Sequence, residues 1–200
     1  TQAFFWLLVT PLLAGPLVYL IGRYWAREKA ESDLQNPARW MALLALVAEA
    51  ALIFFAAKGL LADPTIPLQL NYGMVVLHFD GLSLLLALTV LVLGTLVTIY
   101  SFTYMQAEVG EEKYYALLVM MIGMIIGLGC ANDLFNLWIW FEGMAITSFM
   151  LVAFYRDSAT SLEAGVKYLV QSAVGSVFVL LGIALTFAYT GVLDLDVMAE

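Results

Sequence analysis

Apolar residues in this chain come in long, nearly unbroken runs. A membrane helix needs about 20 mostly apolar residues, and six runs meet that length: residues 3–21, 40–58, 82–104, 114–131, 134–155 and 162–189. Polar punctuation separates them. Asp80-Gly81-Leu82-Ser83 offers an N-cap before the third helix, and Asn132-Asp133 a tight turn and a cap before the fifth. Thr160 with Glu163 matches a capping box opening the sixth. Pro11 and Pro16 fall inside the first run, where they predict a kink. Pro64 and Pro67 mark the loop after the second, with an extended segment expected over 68–77. The pattern predicts an all-α, polytopic transmembrane bundle forming a single domain over 1–200.

Composition agrees. Of the 200 residues, 64% are hydrophobic and 12% charged, where a soluble domain would be near half apolar and about a quarter charged. The net charge of −8 says little about partners, because the acids lie mostly in loops and the last residues. The eight Lys and Arg are scattered and form no basic face, which argues against nucleic acid. Arg23, Arg27, Lys29 and Arg39 follow the first span, Lys113 follows the third, and Arg156 the fifth. Only Lys58 lies toward the other side. The positive-inside rule therefore predicts that these odd-numbered loops are cytoplasmic, with the N-terminus and the tail after Tyr189 outside. The chain opens Thr1-Gln2, so a start residue is missing. Its first run lacks a basic flank and a small-residue cleavage site, and reads as a retained span. The expected setting is a bacterial or archaeal inner membrane, or an energy-transducing membrane of an organelle, with lipid as a surrounding partner.

Nothing points to a bound cofactor or metal. There is no Gly-x-Gly-x-x-Gly, no Walker sequence and no Cys/His cluster. The single cysteine, Cys130, reads as a small packing residue.

The chemistry lies in polar residues within the apolar runs. Glu142 is nine residues past Asp133, hence roughly 13 Å along its helix and near the bilayer midplane. A charge there costs on the order of 2.5–3.5 kcal/mol, so an intramembrane carboxylate reads first as part of an ion or proton pathway. The bland reading is a hydrogen-bonded Glu locking two helices. Thr147 and Ser148 are expected to support it, and Trp138 and Met144 to pack. Lys167 lies roughly 10 Å into the sixth helix, with Gln171 at i+4 and Ser172 and Ser176 flanking, a stripe able to hold water. Equally, Lys167 fits snorkelling to the interface or a pair with Glu163 at i−4. Depth puts Glu142 and Lys167 roughly 10 Å apart, which favours a water-mediated relay over a direct salt bridge. Glu49, halfway along the second helix, reads as a polar clamp to a neighbouring helix, with proton carriage as the alternative. His78, the sole histidine, reads as an interfacial polar residue beside Asp80 and is a candidate for proton uptake. Gly123 and Gly127 predict close helix contact.

The order and spacing of several short motifs carry a resemblance. Phe79-Asp80-Gly81-Leu82-Ser83, Tyr114-Tyr115-Ala116-Leu117-Leu118, Ala131-Asn132-Asp133-Leu134-Phe135, Trp140-Phe141-Glu142 and Ala164-Gly165-Val166-Lys167-Tyr168-Leu169 resemble the antiporter-like membrane subunits of respiratory complex I. That superfamily includes Mrp-type cation/proton antiporters and membrane-bound hydrogenases. The resemblance covers about residues 77–193. It implies a glutamate on the fifth helix and a lysine on the sixth within a chain of buried charges, and Glu142 and Lys167 match them. It also implies redox-driven proton translocation, or sodium/proton exchange, by a subunit with no redox centre of its own among other membrane subunits. A truncated, non-pumping scaffold is the third reading. Family members have about fourteen helices in two inverted repeats, with a broken seventh helix bearing another lysine. This chain is therefore expected to be an incomplete fold, finished by residues beyond Glu200 or by another chain.

Overall fold

In a computed structural model the chain is described over residues 2–28, 36–62, 67–72, 75–106 and 108–199. The order is α1 (Gln2–Glu28), α2 (Ala38–Ala62), β1 (Leu68–Tyr72), β2 (Val75–Phe79), α3 (Gly81–Tyr104), α4 (Glu111–Gly129), α5 (Leu134–Val152), α6 (Ala159–Thr190) and α7 (Leu195–Ala199). Six of these helices are long and apolar enough to cross a membrane, as the sequence pattern predicts. Lys29 and Pro64 lie outside the described residues.

Helix α4 is the hub, packing against α1, α2, α3 and α5. Its glycines explain the close contacts. A Cβ on Gly123 would sit 2.5 Å from Pro11 of α1, and one on Gly127 would sit 2.4 Å from the Trp140 ring of α5. Neither contact leaves room for a larger residue. Helix α1 runs through Pro11 and Pro16 as a single helix. The predicted kink does not divide it.

Both expected aspartate caps form. Asp80 accepts from the Ser83 amide at 2.8 Å, and Asp133 from the Asn136 amide at 2.7 Å. The expected capping box does not. Ser158 caps α6 instead, Thr160 lies within the helix, and Glu163 pairs with Lys167. The extended segment is a two-stranded antiparallel hairpin, with Leu68 opposite Phe79 and Leu70 opposite Leu77. It docks on the α4–α5 turn, where the His78 amide donates to the Cys130 carbonyl at 2.8 Å.

A buried ion pair ties the opposite end. Arg39 Nε and Nη2 donate to the two carboxylate oxygens of Glu111 at 2.9 and 3.2 Å, and Nη1 reaches the Phe102 carbonyl at 3.4 Å. Arg39 is only 3% exposed, so it is a buried staple joining α2, α3 and α4 rather than a free loop cation. A fork-to-carboxylate pair of this kind fixes geometry as well as charge. Arg23 pairs with Glu112 at the same end.

Candidate functional site

Glu142 meets α6 near the middle of both helices. Its Oε2 accepts from the Ser176 hydroxyl at 2.6 Å, and the Ser176 oxygen accepts from Trp138 Nε1 at 2.8 Å. Ser176 is 17 residues past Ala159 and 14 before Thr190, roughly 25 and 21 Å from the two helix ends. The carboxylate therefore sits midway along both spans and is partly exposed.

Its partners are not the expected ones. Thr147 and Ser148 turn back on their own helix, donating to the Met144 carbonyl at 2.9 and 2.8 Å. They lie five and six residues past Glu142, off the i+3 and i+4 positions that share its face. Trp138 is at i−4, on the correct face, and it is a hydrogen-bond donor as well as a packing residue. In the sequence, Ser176 is visible only as a neighbour of the Lys167 stripe. Pairing across two helices leaves no local spacing signal, so sequence reasoning misses it.

Lys167 is elsewhere. Its Nζ is 2.6 Å from Glu163 Oε1, and the two side chains are 73% and 66% exposed. Nine residues separate Lys167 from Ser176, roughly 13 Å along α6. Lys167 pairs with Glu163 and Glu142 with Ser176, so among the described residues the two groups share no direct ion pair. Lys167 and Gln171 line a shallow groove of about 560 Å³ on the outer face of α6, with Val166, Val170 and Val174. Ser172 is half-buried beside that stripe. Thus Glu142 is held between helices, whereas Lys167 and Gln171 face outward.

Glu49 is 1% exposed, and neither carboxylate oxygen has a hydrogen-bond partner among the described residues. A helix clamp requires such a partner, so the clamp reading is not what this geometry gives. Glu49 belongs to the α1–α4 cluster, apart from the α5–α6 site. His78 Nδ1 lies 3.3 Å from Asp196 of α7, not against Asp80, whose carboxylate is engaged by Ser83. Asn132 also donates to Asp196 at 3.0 Å. Among the described residues no group of three His, Cys, Asp or Glu side chains is disposed to hold a metal.

Comparison with known proteins gives these positions a family. Residues 131–200 match the family described as NADH:quinone oxidoreductase/Mrp antiporter, transmembrane, and residues 70–115 match the N-terminus of chain 5 of NADH-ubiquinone oxidoreductase (complex I). The NADH-quinone oxidoreductase subunit N of Francisella tularensis subsp. holarctica is 32% identical over 123 residues, covering 61% of this chain and 25% of that protein. Subunit N of the F(420)H(2) dehydrogenase of Methanosarcina mazei is 31% identical, covering 78% of this chain and 32% of that protein. A Na(+)/H(+) antiporter subunit of Bacillus subtilis is 33% identical, covering 62% of this chain and 25% of that protein. The chain thus spans between 25% and 32% of the length of these relatives. A chain in the structure of the membrane-bound sulfane sulfur reductase, an archaeal respiratory membrane complex, shares the fold, with a TM-score of 0.83 over 97% of this chain, 39% of that one and 22% identity. Four of the five motifs that carried the resemblance fall within the matched segments, the fifth, at 114–118, runs past the end of the 70–115 match, and the chain belongs to the superfamily of antiporter-like membrane subunits that includes those of complex I and of Mrp antiporters.

Proposed function

We propose that this chain is part of a proton-translocating, antiporter-like subunit of a complex I-like assembly, and that Glu142 is its proton-exchanging group. One observation carries the reading: a carboxylate midway along both spans, held by Ser176 and Trp138 between α5 and α6 and still partly open. An intramembrane acid in such a place is a functional group by default. Lys167 and Gln171 extend a polar track along α6, and water linking them to Ser176 would complete the relay. Redox chemistry is assigned to other subunits, and the odd-numbered loops to the cytoplasmic face. Glu49 and His78 are secondary candidates: Glu49 is sealed from the α5–α6 site, and His78 is tied to Asp196 at the opposite end.

The second reading is a subunit of a sodium/proton antiporter, favoured by the 33% identity to the Bacillus subtilis antiporter protein. The same carboxylate serves either ion. Reconstituted vesicles separate the two: redox-driven proton uptake insensitive to sodium supports the first reading, and a sodium gradient that drives proton movement without an electron donor supports the second. A non-pumping scaffold is supported if well-assembled Glu142→Gln complex pumps like wild type.

A further inference from the structure

A cavity of about 790 Å³ lies between α1, α4 and α5, at the end of the bundle that carries the basic loops. Its volume is in the range of ligand pockets. The deeper wall is apolar: Pro16, Ala116, Met120, Phe149 and Met150. The rim is charged, with Glu108 from the α3–α4 connection, Lys113 from the first turn of α4, and Arg156 and Asp157 from the α5–α6 turn. Met120 is seven residues past Lys113, so the apolar wall reaches roughly 10 Å beyond the rim along α4.

The four rim charges form no ion pair among the described residues, where the pairs are Arg23–Glu112, Arg39–Glu111, His78–Asp196 and Lys167–Glu163. Two cations and two anions thus surround one mouth without pairing to each other. We propose that this cavity is a binding site for a zwitterionic glycerophospholipid with a primary-amine headgroup, a phosphatidylethanolamine. The phosphate lies between Lys113 and Arg156, the ammonium donates to Glu108 and Asp157, and one acyl chain runs along Met120 and Phe149. The chemistry selects among lipids. An anionic headgroup satisfies the two cations but meets the two carboxylates with like charge. A choline headgroup offers them no N–H donor. Ethanolamine has three. Tyr19 and Tyr155, also on the lining, are at home at the level of lipid headgroups. The site is independent of Glu142 and of the proposed ion pathway.

The test is native mass spectrometry of the full complex titrated with palmitoyl-oleoyl phosphatidylethanolamine, phosphatidylglycerol or phosphatidylcholine. Retention should be strongest for phosphatidylethanolamine. Lys113→Gln and Arg156→Gln should each weaken it about fivefold, the size expected for one basic side chain near a lipid headgroup. Met150→Trp, which fills the apolar wall without touching the charges, should abolish it. Glu108→Gln with Asp157→Asn should invert the preference toward phosphatidylglycerol, a gain that misfolding cannot produce. Equal retention of all three lipids by the wild type overturns the proposal. So does phosphatidylethanolamine retention unchanged by both the charge and the filling variants, or a cavity occupied by a helix of a neighbouring subunit in the assembled complex.

Discussion

Helices α4 and α6 are both membrane spans, yet 50% of the α4 span is buried inside the chain against 11% of the α6 span. The difference is visible residue by residue. Gly123 and Gly127 of α4 have no room for a Cβ, whereas Gly175 and Gly182 of α6 have nothing within 4 Å of one. The same contrast separates the two intramembrane acids. Glu49 is sealed within the α1–α4 cluster, while Glu142 faces the sparsely covered α5–α6 side. One half of the chain is a packed scaffold built around α4. The other half presents polar groups along a helix whose outer face is uncovered within this chain. Exposed midplane polarity is costly in lipid, so that face is expected to be covered by protein in the working assembly.

Substitutions that break this division should do so in a graded way. The largest effect belongs to the packed half. Arg39→Met leaves Glu111 buried and unpaired, and removing one partner of a buried pair costs about 3–5 kcal/mol. Thermal unfolding of the purified complex should drop accordingly, and adding Glu111→Leu should restore much of the loss. Next is Gly123→Leu. It forces a side chain into Pro11 and should cost about 3 kcal/mol, read as loss of assembled complex. Ser176→Ala should have a smaller effect on stability, about 1 kcal/mol for the hydrogen bonds it removes. Proton uptake should nonetheless slow, because Glu142 loses its donor. Smallest is the Cys130 thiol, 1% exposed under the hairpin, which should resist maleimide in folded protein. Rapid labelling would show that the hairpin end opens.

Much of the scaffold is legible in the sequence because hydrophobic length and helix caps are local signals. The six long apolar runs and the Asp80 and Asp133 caps depend on residues near each other in sequence, and the i, i+4 spacing of Gly123 and Gly127 marks a close-packing face on α4 without naming its partners, Pro11 and Trp140. What escapes is non-local. Arg39 reads as a loop charge because nothing nearby announces Glu111, 72 residues away. The hairpin reads as one extended segment because the Gly73 region carries only a weak turn signal. At the site, the depth of Glu142 follows from helix rise alone, but its partner on α6 does not. Glu49 looks like a clamp because its flanks are apolar, but whether a neighbouring helix offers it a partner is not a local signal, and among the described residues none does.

The most direct measurement compares proton uptake by vesicles containing wild-type or Glu142→Gln complex, normalised to assembled protein. Gln keeps the size of the side chain and its bond to Ser176 but removes the titratable proton. Uptake should fall to background while assembly and thermal stability stay at wild-type levels. Wild-type uptake by fully assembled Glu142→Gln complex would contradict it and make this mid-membrane carboxylate a structural link between α5 and α6.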